Sequence, residues 1–391
     1  MLIDLLLLLL PVAAGSGWYA AKRSMQSAAE KEAQKFTRNY LVGLNYLLNE
    51  QPDKAVDVFI KLLEDDTEVV ETHLALGVLF RRRGEVGRAI RIHQNLIARP
   101  NLPKQLRAEA LLALGQDYLK AGMLDRAERL FLEFTEVASG QHVWLGLHHL
   151  LDIYQQEKNW EAAINTASKL VATNKNAVQK NIAHYCCELA LQAKEQGQIE
   201  LAQRHLKRAL EADPACIRAS LLQAEFEIAL GRFKSALQTF QKAVQQDPDY
   251  LTEMVSSIVL CYEQLEDDEA MQDYLQLCLQ KYPRTSVLLT LASHQQCQQG
   301  DEAAAELITK HLQHRPSIRG LQRLITLQLN TAAEEAKKNL TVLHNLVANL
   351  LKNKPVYRCG QCGFNGKVLH WLCPSCKRWG SIKPVQGIEG E

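Results

Sequence analysis

Alanine recurs through the middle of this chain at a near-constant interval, and each alanine is followed four and seven residues later by a larger or apolar side chain. The units are Ala55-Phe59-Leu62, Ala89-His93-Ile97 (one residue late at its last position), Ala127-Phe131-Phe134 and Ala163-Ala167-Leu170. Ala202-Leu206-Ala209, Ala236-Phe240-Ala243, Ala270-Tyr274-Leu277 and Ala304-Ile308-His311 complete the set. Successive alanines are 34, 38, 36, 39, 34, 34 and 34 residues apart. Spacings of three and four mark one face of a helix, and a fixed period of this length marks one repeated supersecondary unit. From about residue 36 to 352, Leu, Ala, Gln and Glu dominate, strand signals are nearly absent and prolines are sparse. Pro214, Pro248 and Pro316 each fall twelve residues after their alanine, and Pro283 falls thirteen after Ala270.

Other positions keep the same step. Gly43, Gly77 and Gly115 lie twelve before the first three alanines, where two antiparallel helices must approach closely. Tyr46, Phe80, Tyr118 and Tyr154 lie nine before theirs, filling the space between helices. Turn signals separate the halves of the units: Gln51-Pro52-Asp53, Arg83-Gly84-Glu85, Lys120-Ala121-Gly122, Gln196-Gly197, Leu230-Gly231 and Gln299-Gly300. The pattern resembles the tetratricopeptide repeat, a helix-turn-helix unit of about 34 residues. Such a unit cannot bury its apolar face alone, so stacking is expected to give a continuous core and a superhelical concave surface. Units four to eight lack the glycine, so their helix pairs are expected to pack less closely. The spacings of 36 to 39 imply longer turns or helices there. Eight repeats are expected, and nine if residues 317–352 form a further helical pair.

The C-terminal region carries the clearest chemistry. Cys359-x2-Cys362 and Cys373-x2-Cys376 are separated by ten residues, room for two short strands. Two C-x-x-C turns gather four soft thiolates, a set that suits one zinc or iron ion in a closed tetrahedral site. Gly360 and Gly363 flank the first pair, where a knuckle needs residues tolerant of positive φ, and Pro374 stiffens the second turn. The alternatives are a reduced, metal-free cluster, or one disulfide per knuckle in an oxidising compartment. Cys186, Cys187, Cys216, Cys261, Cys278 and Cys297 are scattered through apolar helical surroundings. They are read as small, reduced, buried side chains rather than a secreted disulfide framework, and a reducing cytosol suits all ten.

Residues Leu2 to Ala21 contain one charge, Asp4, and are long enough to span a bilayer as a helix. No positive charge precedes the apolar run, as a cleaved signal peptide would require. Lys22, Arg23, Lys31, Lys35 and Arg38 follow it, so the positive-inside bias places the bulk of the chain in the cytoplasm. Trp18 and Tyr19 sit at the interfacial position. The segment is expected to be an uncleaved single-pass anchor.

The 45 basic and 44 acidic residues balance, so net charge signals neither nucleic acid nor an anionic surface. No catalytic constellation emerges. Gly360 to Lys367 has five residues between its glycines and Val368 where a phosphate loop needs Ser or Thr. His148 and His149 point to different faces of a helix. Arg81, Arg82, Arg83, Arg88 and Arg91 form the densest basic cluster, read as a solvated turn at a helix C-terminus in preference to a docking patch. Tyr357, Phe364, Trp371 and Trp379 interleave with Arg358, Lys367, Lys377, Arg378 and Lys383. They are read as a small ribbon core with two aromatics docked on neighbouring helices, ahead of a nucleic-acid surface. His370 is not counted as a ligand, because four cysteines complete the coordination.

Anchor, repeat array and the segment YRCGQCGFNGKVLHWLCPSCKRWGSIKP together resemble the lipopolysaccharide assembly protein B (LapB/YciM) family of Gram-negative bacteria, over essentially the whole chain. The resemblance implies a mostly α fold: a transmembrane helix (1–21), a juxtamembrane linker (22–35), tetratricopeptide repeats (36–352), a rubredoxin-type metal-binding domain or zinc ribbon (353–385) and a tail (386–391). It implies metal ligands at Cys359, Cys362, Cys373 and Cys376. It also implies a non-enzymatic adaptor of the inner membrane, with its soluble domains facing the cytoplasm, that regulates lipopolysaccharide biosynthesis. The expected partners are the membrane protease FtsH, the deacetylase LpxC whose degradation it promotes, a PbgA/YejM-type inner-membrane regulator and other lipopolysaccharide assembly proteins, with no nucleic acid. A rubredoxin-like iron electron carrier and a nucleic-acid-binding zinc ribbon are the alternatives.

Overall fold

The computed structural model describes residues 70–391 except 101, 172–174 and 353, together with positions 22, 41, 42, 45, 46, 54 and 58. The expected membrane anchor, most of the linker and most of the first alanine unit lie outside the described residues. No helix among the described residues is long and apolar enough to cross a membrane. The chain divides into two compact units, Met1–Glu157 and Lys158–Glu391.

The first unit contains α1 (Val70–Arg82), α2 (Val86–Ile97), α3 (Lys104–Lys120), α4 (Leu124–Val137) and α5 (Val143–Gln156). The second contains α6 (Trp160–Lys169), α7 (Lys175–Glu195), α8 (Ile199–Ala212), α9 (Ile217–Ala229), α10 (Phe233–Gln246) and α11 (Leu251–Gln264). It continues with α12 (Asp268–Lys281), α13 (Thr285–Gln299), α14 (Asp301–His314), α15 (Ile318–Thr331) and α16 (Glu334–Lys352). Three short strands close the chain: β1 (Tyr357–Cys359), β2 (Asn365–Gly366) and β3 (Ile382–Pro384).

Antiparallel pairs α1/α2 and α3/α4 in the first unit, and α7/α8 through α15/α16 in the second, pack side by side in sequence order. The alanines sit where the two helices of a pair cross: Ala89, Ala127, Ala202, Ala236 and Ala304 are all fully buried, and so is Ala163 of α6. Close approach is what the glycines permit. A Cβ on Gly77 would lie 2.3 Å from His93 Nε2, and one on Gly115 would lie 2.6 Å from Phe131. The turns within pairs close as Schellman motifs, with N–H of Glu85, Met123, Gln198 and Arg232 donating back to Phe80, Tyr118, Ala193 and Glu227. The left-handed residue each motif needs is Gly84, Gly122, Gly197 or Gly231. The long spacings trace to a proline-bearing linker before α3, a 3-10 turn at Gly140–His142 and the 21-residue α7.

The structure corrects the repeat pattern in three places. In α2 the buried residue seven after Ala89 is Leu96, so no one-residue delay to Ile97 is needed. In α12 the cadence runs through Met271, Leu275 and Cys278, all buried, while Leu277 is 58% exposed. The register with Met271 also places Tyr262 nine before it, left-handed Glu266 five before it and Pro283 twelve after it, each a spacing that recurs in several other units. The small residue at 270 is what sets the sequence pattern one step early. Finally, α5 has its own close approach: a Cβ on Gly146 would lie 2.6 Å from Phe134 of α4.

The scattered cysteines are free, and five are buried as expected; Cys297, late in α13, is exposed. In the arginine cluster Arg82, Arg83, Arg88 and Arg91 are exposed, as a solvated turn requires, and Arg81 is the member drawn inward. Arg81 reaches from α1 to Asp117, Gln116 and the carbonyl of Ala113 on α3. Asp117 also receives buried His93, Nδ1 to Oδ2 at 2.5 Å, so the cation, the carboxylate and the imidazole satisfy one another away from water. Of the adjacent histidines, His148 is exposed and His149 stacks on Phe131 at 4.7 Å.

Candidate metal centre

Each cysteine pair lies in a tight turn, and the two turns have the same wiring. The carbonyl of Cys359 accepts from Gly363 N–H while Cys359 N–H donates to Phe364. The carbonyl of Cys373 accepts from Lys377 N–H while Cys373 N–H donates to Arg378. Both turns need a left-handed residue at the fourth position after the first cysteine, supplied by Gly363 (φ 75°) and Lys377 (φ 56°). Gly360 does not serve that purpose, since its φ is not positive; its N–H donates to the carbonyl of Ser381. Strands hold the turns in place: β1 pairs antiparallel with β2 (Tyr357 opposite Gly366) and with β3 (Cys359 opposite Ile382). Tyr357, Phe364 and Leu369 pack on buried Cys359, Cys373 and Ile382 as a miniature core.

The four sulfurs lie within 4.8 Å of one another, with Cys359–Cys376 at 3.8 Å and Cys362–Cys373 at 3.6 Å. A tetrahedron with zinc–sulfur bonds of about 2.3 Å has edges of about 3.8 Å, so the cluster fits one tetrathiolate ion. Burial pushes the Cys359 thiol up, but the contact with Ser381 and the N–H groups of Cys362 and Gln361 outweigh it and bring the pKa down to about 6. Burial raises Cys373 to about 11. A bound cation would deprotonate the full set and release protons on loading. With all four positions filled by protein, such a site has no open coordination position and acts as a structural clasp.

The ribbon is seated on helices of the second unit. Trp379 stacks on His184 of α7 at 5.1 Å and meets Trp160 and Tyr185 edge-on. Trp371 stacks on Tyr250, before α11, at 5.3 Å. Between the two indoles stands the guanidinium of Arg218 on α9, 5.7 and 5.6 Å from their rings, tied to Glu188 at 2.8 Å. Tyr250 Oη donates to the carbonyl of Ile382, and Tyr357 Oη donates to Glu253. Lys383 bridges Asp247 and Asp249 at 2.8 and 2.9 Å. Burial works against the Asp249 charge, yet Lys383, Gln386 and Arg284 hold its carboxyl below the usual range. Nothing in the local sequence marks Arg218, His184, Tyr250 or Glu253 as ribbon contacts, because each lies more than a hundred residues from its ribbon partner. The one available signal was the excess of aromatic residues in so small a ribbon.

A helical tetratricopeptide array bearing a four-cysteine metal-binding ribbon is the class that these elements define. Family models agree: residues 357–384 match one described as a rubredoxin metal binding domain, and residues 72–105 and 187–250 match tetratricopeptide repeat models. Lipopolysaccharide assembly protein B of Escherichia coli K12 is 40% identical over 391 residues, covering 100% of both chains. The protein of that name from Haemophilus influenzae is 35% identical, covering 99% of this chain and 100% of its own. The chain belongs to the lipopolysaccharide assembly protein B family. Among solved structures, that of Naa15/Naa10 bound to HypK-THB aligns over 81% of this chain and 51% of its own, with 12% identity and a TM-score of 0.43.

Proposed function

We propose that this protein is a non-catalytic adaptor of the bacterial inner membrane that promotes FtsH-dependent degradation of the deacetylase LpxC, and so limits flux into lipopolysaccharide. A PbgA/YejM-type membrane protein is proposed to restrain it. Residues 1–21 would anchor it as a single-pass helix with the array in the cytoplasm. Confinement to the membrane surface would raise the effective concentration of a captured substrate beside a membrane protease. Cys359, Cys362, Cys373 and Cys376 would hold one zinc or iron ion whose role is to keep the ribbon folded. The observation that carries the reading is the full-length match to relatives named for lipopolysaccharide assembly; the ribbon's seat on the array supports a structural role for the metal.

Replacing Cys359 or Cys373 with serine is expected to release metal, lengthen the LpxC half-life and raise membrane lipopolysaccharide. Unchanged turnover and lipopolysaccharide in a metal-free variant would contradict the proposal. Metal analysis with a visible spectrum of the natively expressed protein separates colourless zinc from iron.

A further inference from the structure

Beneath the ribbon's edge the first helices of three successive pairs, α11, α13 and α15, pack in a row. Together with Lys354–Tyr357 and the tail they enclose a cleft of about 780 Å³. One wall is the tail itself, and its last side chain enters a made-to-measure anion seat. Glu391 Oε2 accepts from the backbone N–H of Ser286 at 2.8 Å, in the first turn of α13, where the helix dipole favours negative charge. Ser286 Oγ donates to the same carboxylate at 2.6 Å, and Arg319 of α15 forms an ion pair with it. The Glu391 side chain is 4% exposed. A second acid, Glu389, pairs with Lys354 at 2.6 Å.

Little else holds this segment. The backbone N–H groups of Val385 and Ile318 donate to Val356 and Ile388, Gln386 donates to Asp249, and the remaining tail bonds run within the tail. Ile388 is 57% exposed, so the tail has no apolar anchor there. With the tail lifted away, Arg319, Arg323 and Lys354 face the cleft against a single acid, Glu253. The seat is therefore cationic, lined by hydrogen-bond donors, and closed by a strap held mainly through polar contacts.

We propose that the α11–α13–α15 cleft receives an acidic peptide segment of a partner protein, one carboxylate taking the Ser286–Arg319 seat, and that Glu391 is the chain's own stand-in for that ligand. The proposal rests on the adaptor reading for its biological sense but not for its chemistry. Partner and tail compete for one seat, so the tail sets a threshold that an incoming acidic segment must exceed.

The probe is a fluorescein-labelled, C-terminally amidated peptide of residues 385–391, VQGIEGE, with amidated VQGIQGQ as the control lacking carboxylates in the peptide, titrated against the full chain. Charge-assisted bonds of this kind are worth about tenfold or more in affinity. The E391Q chain is expected to bind VQGIEGE at least about tenfold more tightly than the unaltered chain does, and to ignore VQGIQGQ. Adding R319A to E391Q should abolish that binding while the ribbon's metal content and melting temperature stay unchanged. Equal binding of the two peptides, or undiminished binding by the metal-loaded R319A/E391Q chain, would overturn the proposal. Failure of the adaptor reading looks different: VQGIEGE binds as expected, but R319A leaves LpxC turnover untouched.

Discussion

Burying an arginine is costly unless its charge is answered. Arg218 is answered three ways, by Glu188 and by the faces of Trp371 and Trp379. Arg218→Ala removes the cation from between the indoles and leaves Glu188 without its partner. It should cost about 3 kcal/mol, the lower end for breaking a buried pair. Arg218→Lys should recover less than half of this, because an ammonium cannot stack as a flat plate. Denaturant unfolding followed by tryptophan fluorescence measures both, and a loss under about 0.5 kcal/mol for the alanine variant would refute the account. His184 adds a pH dependence. Burial, helped by Arg218, lowers its pKa from 6.5 to about 3. The unfolded chain therefore takes up a proton below about 6.5 that the folded chain refuses. Stability is full above that pH and falls on acidification, by up to about 1.4 kcal/mol per pH unit. Over pH 7 to 5, at equal metal content, His184→Phe should flatten this component; an identical pH profile for both chains would show that His184 contributes none of it. At this scale the sequence displays ligands but not their supports. Four cysteines in two C-x-x-C turns are legible because the spacing itself is the geometry, whereas Arg218, His184 and Asp117 acquire their meaning from partners that only the fold brings near.

Helix α12 shows what a periodic pattern can and cannot specify. Its existence is plain in the sequence, but a small side chain at 270 satisfies the same template as Met271, so the pattern alone sets its face one residue early. Methionine suits the crossing point since it is unbranched and adapts to irregular gaps. The register of the structure makes a sharp demand: Met271→Ala should lose about 2–4 kcal/mol as a core truncation, while Leu277→Ala should change stability by less than about 0.5 kcal/mol. Comparable losses at the two positions, by thermal or denaturant unfolding, would favour the register through Ala270 and Leu277. The turns carried the correction all along, because Tyr262, Glu266 and Pro283 all keep step with Met271 and not with Ala270. The ribbon is the converse case. Its strands are only two or three residues long, too short for any periodic signal, and they are defined by the knuckles they join.

Across the second unit, metal, ribbon and array are one linked equilibrium. A structural zinc site returns about 10–16 kcal/mol of binding free energy as folding free energy, and here the folded ribbon covers Trp160, His184, Tyr185, Arg218 and Tyr250. Stripping the metal should therefore do more than melt residues 357–384. With the ribbon unfolded, the aromatic face on α6, α7 and the start of α11 meets water, and Arg218 loses both its indoles. Hydrogen exchange before and after chelation should show faster exchange in α7, α9 and α11 in addition to the ribbon, while α1–α4 of the first unit keep their rates. Reloading with zinc should restore protection in all the affected helices together, since one docking event protects them. A rise confined to the ribbon would mean that the clasp folds and unfolds independently of the helices it touches. In that case the metal could not transmit its state to the array, and a serine at Cys359 would act only through loss of the ribbon's own surface.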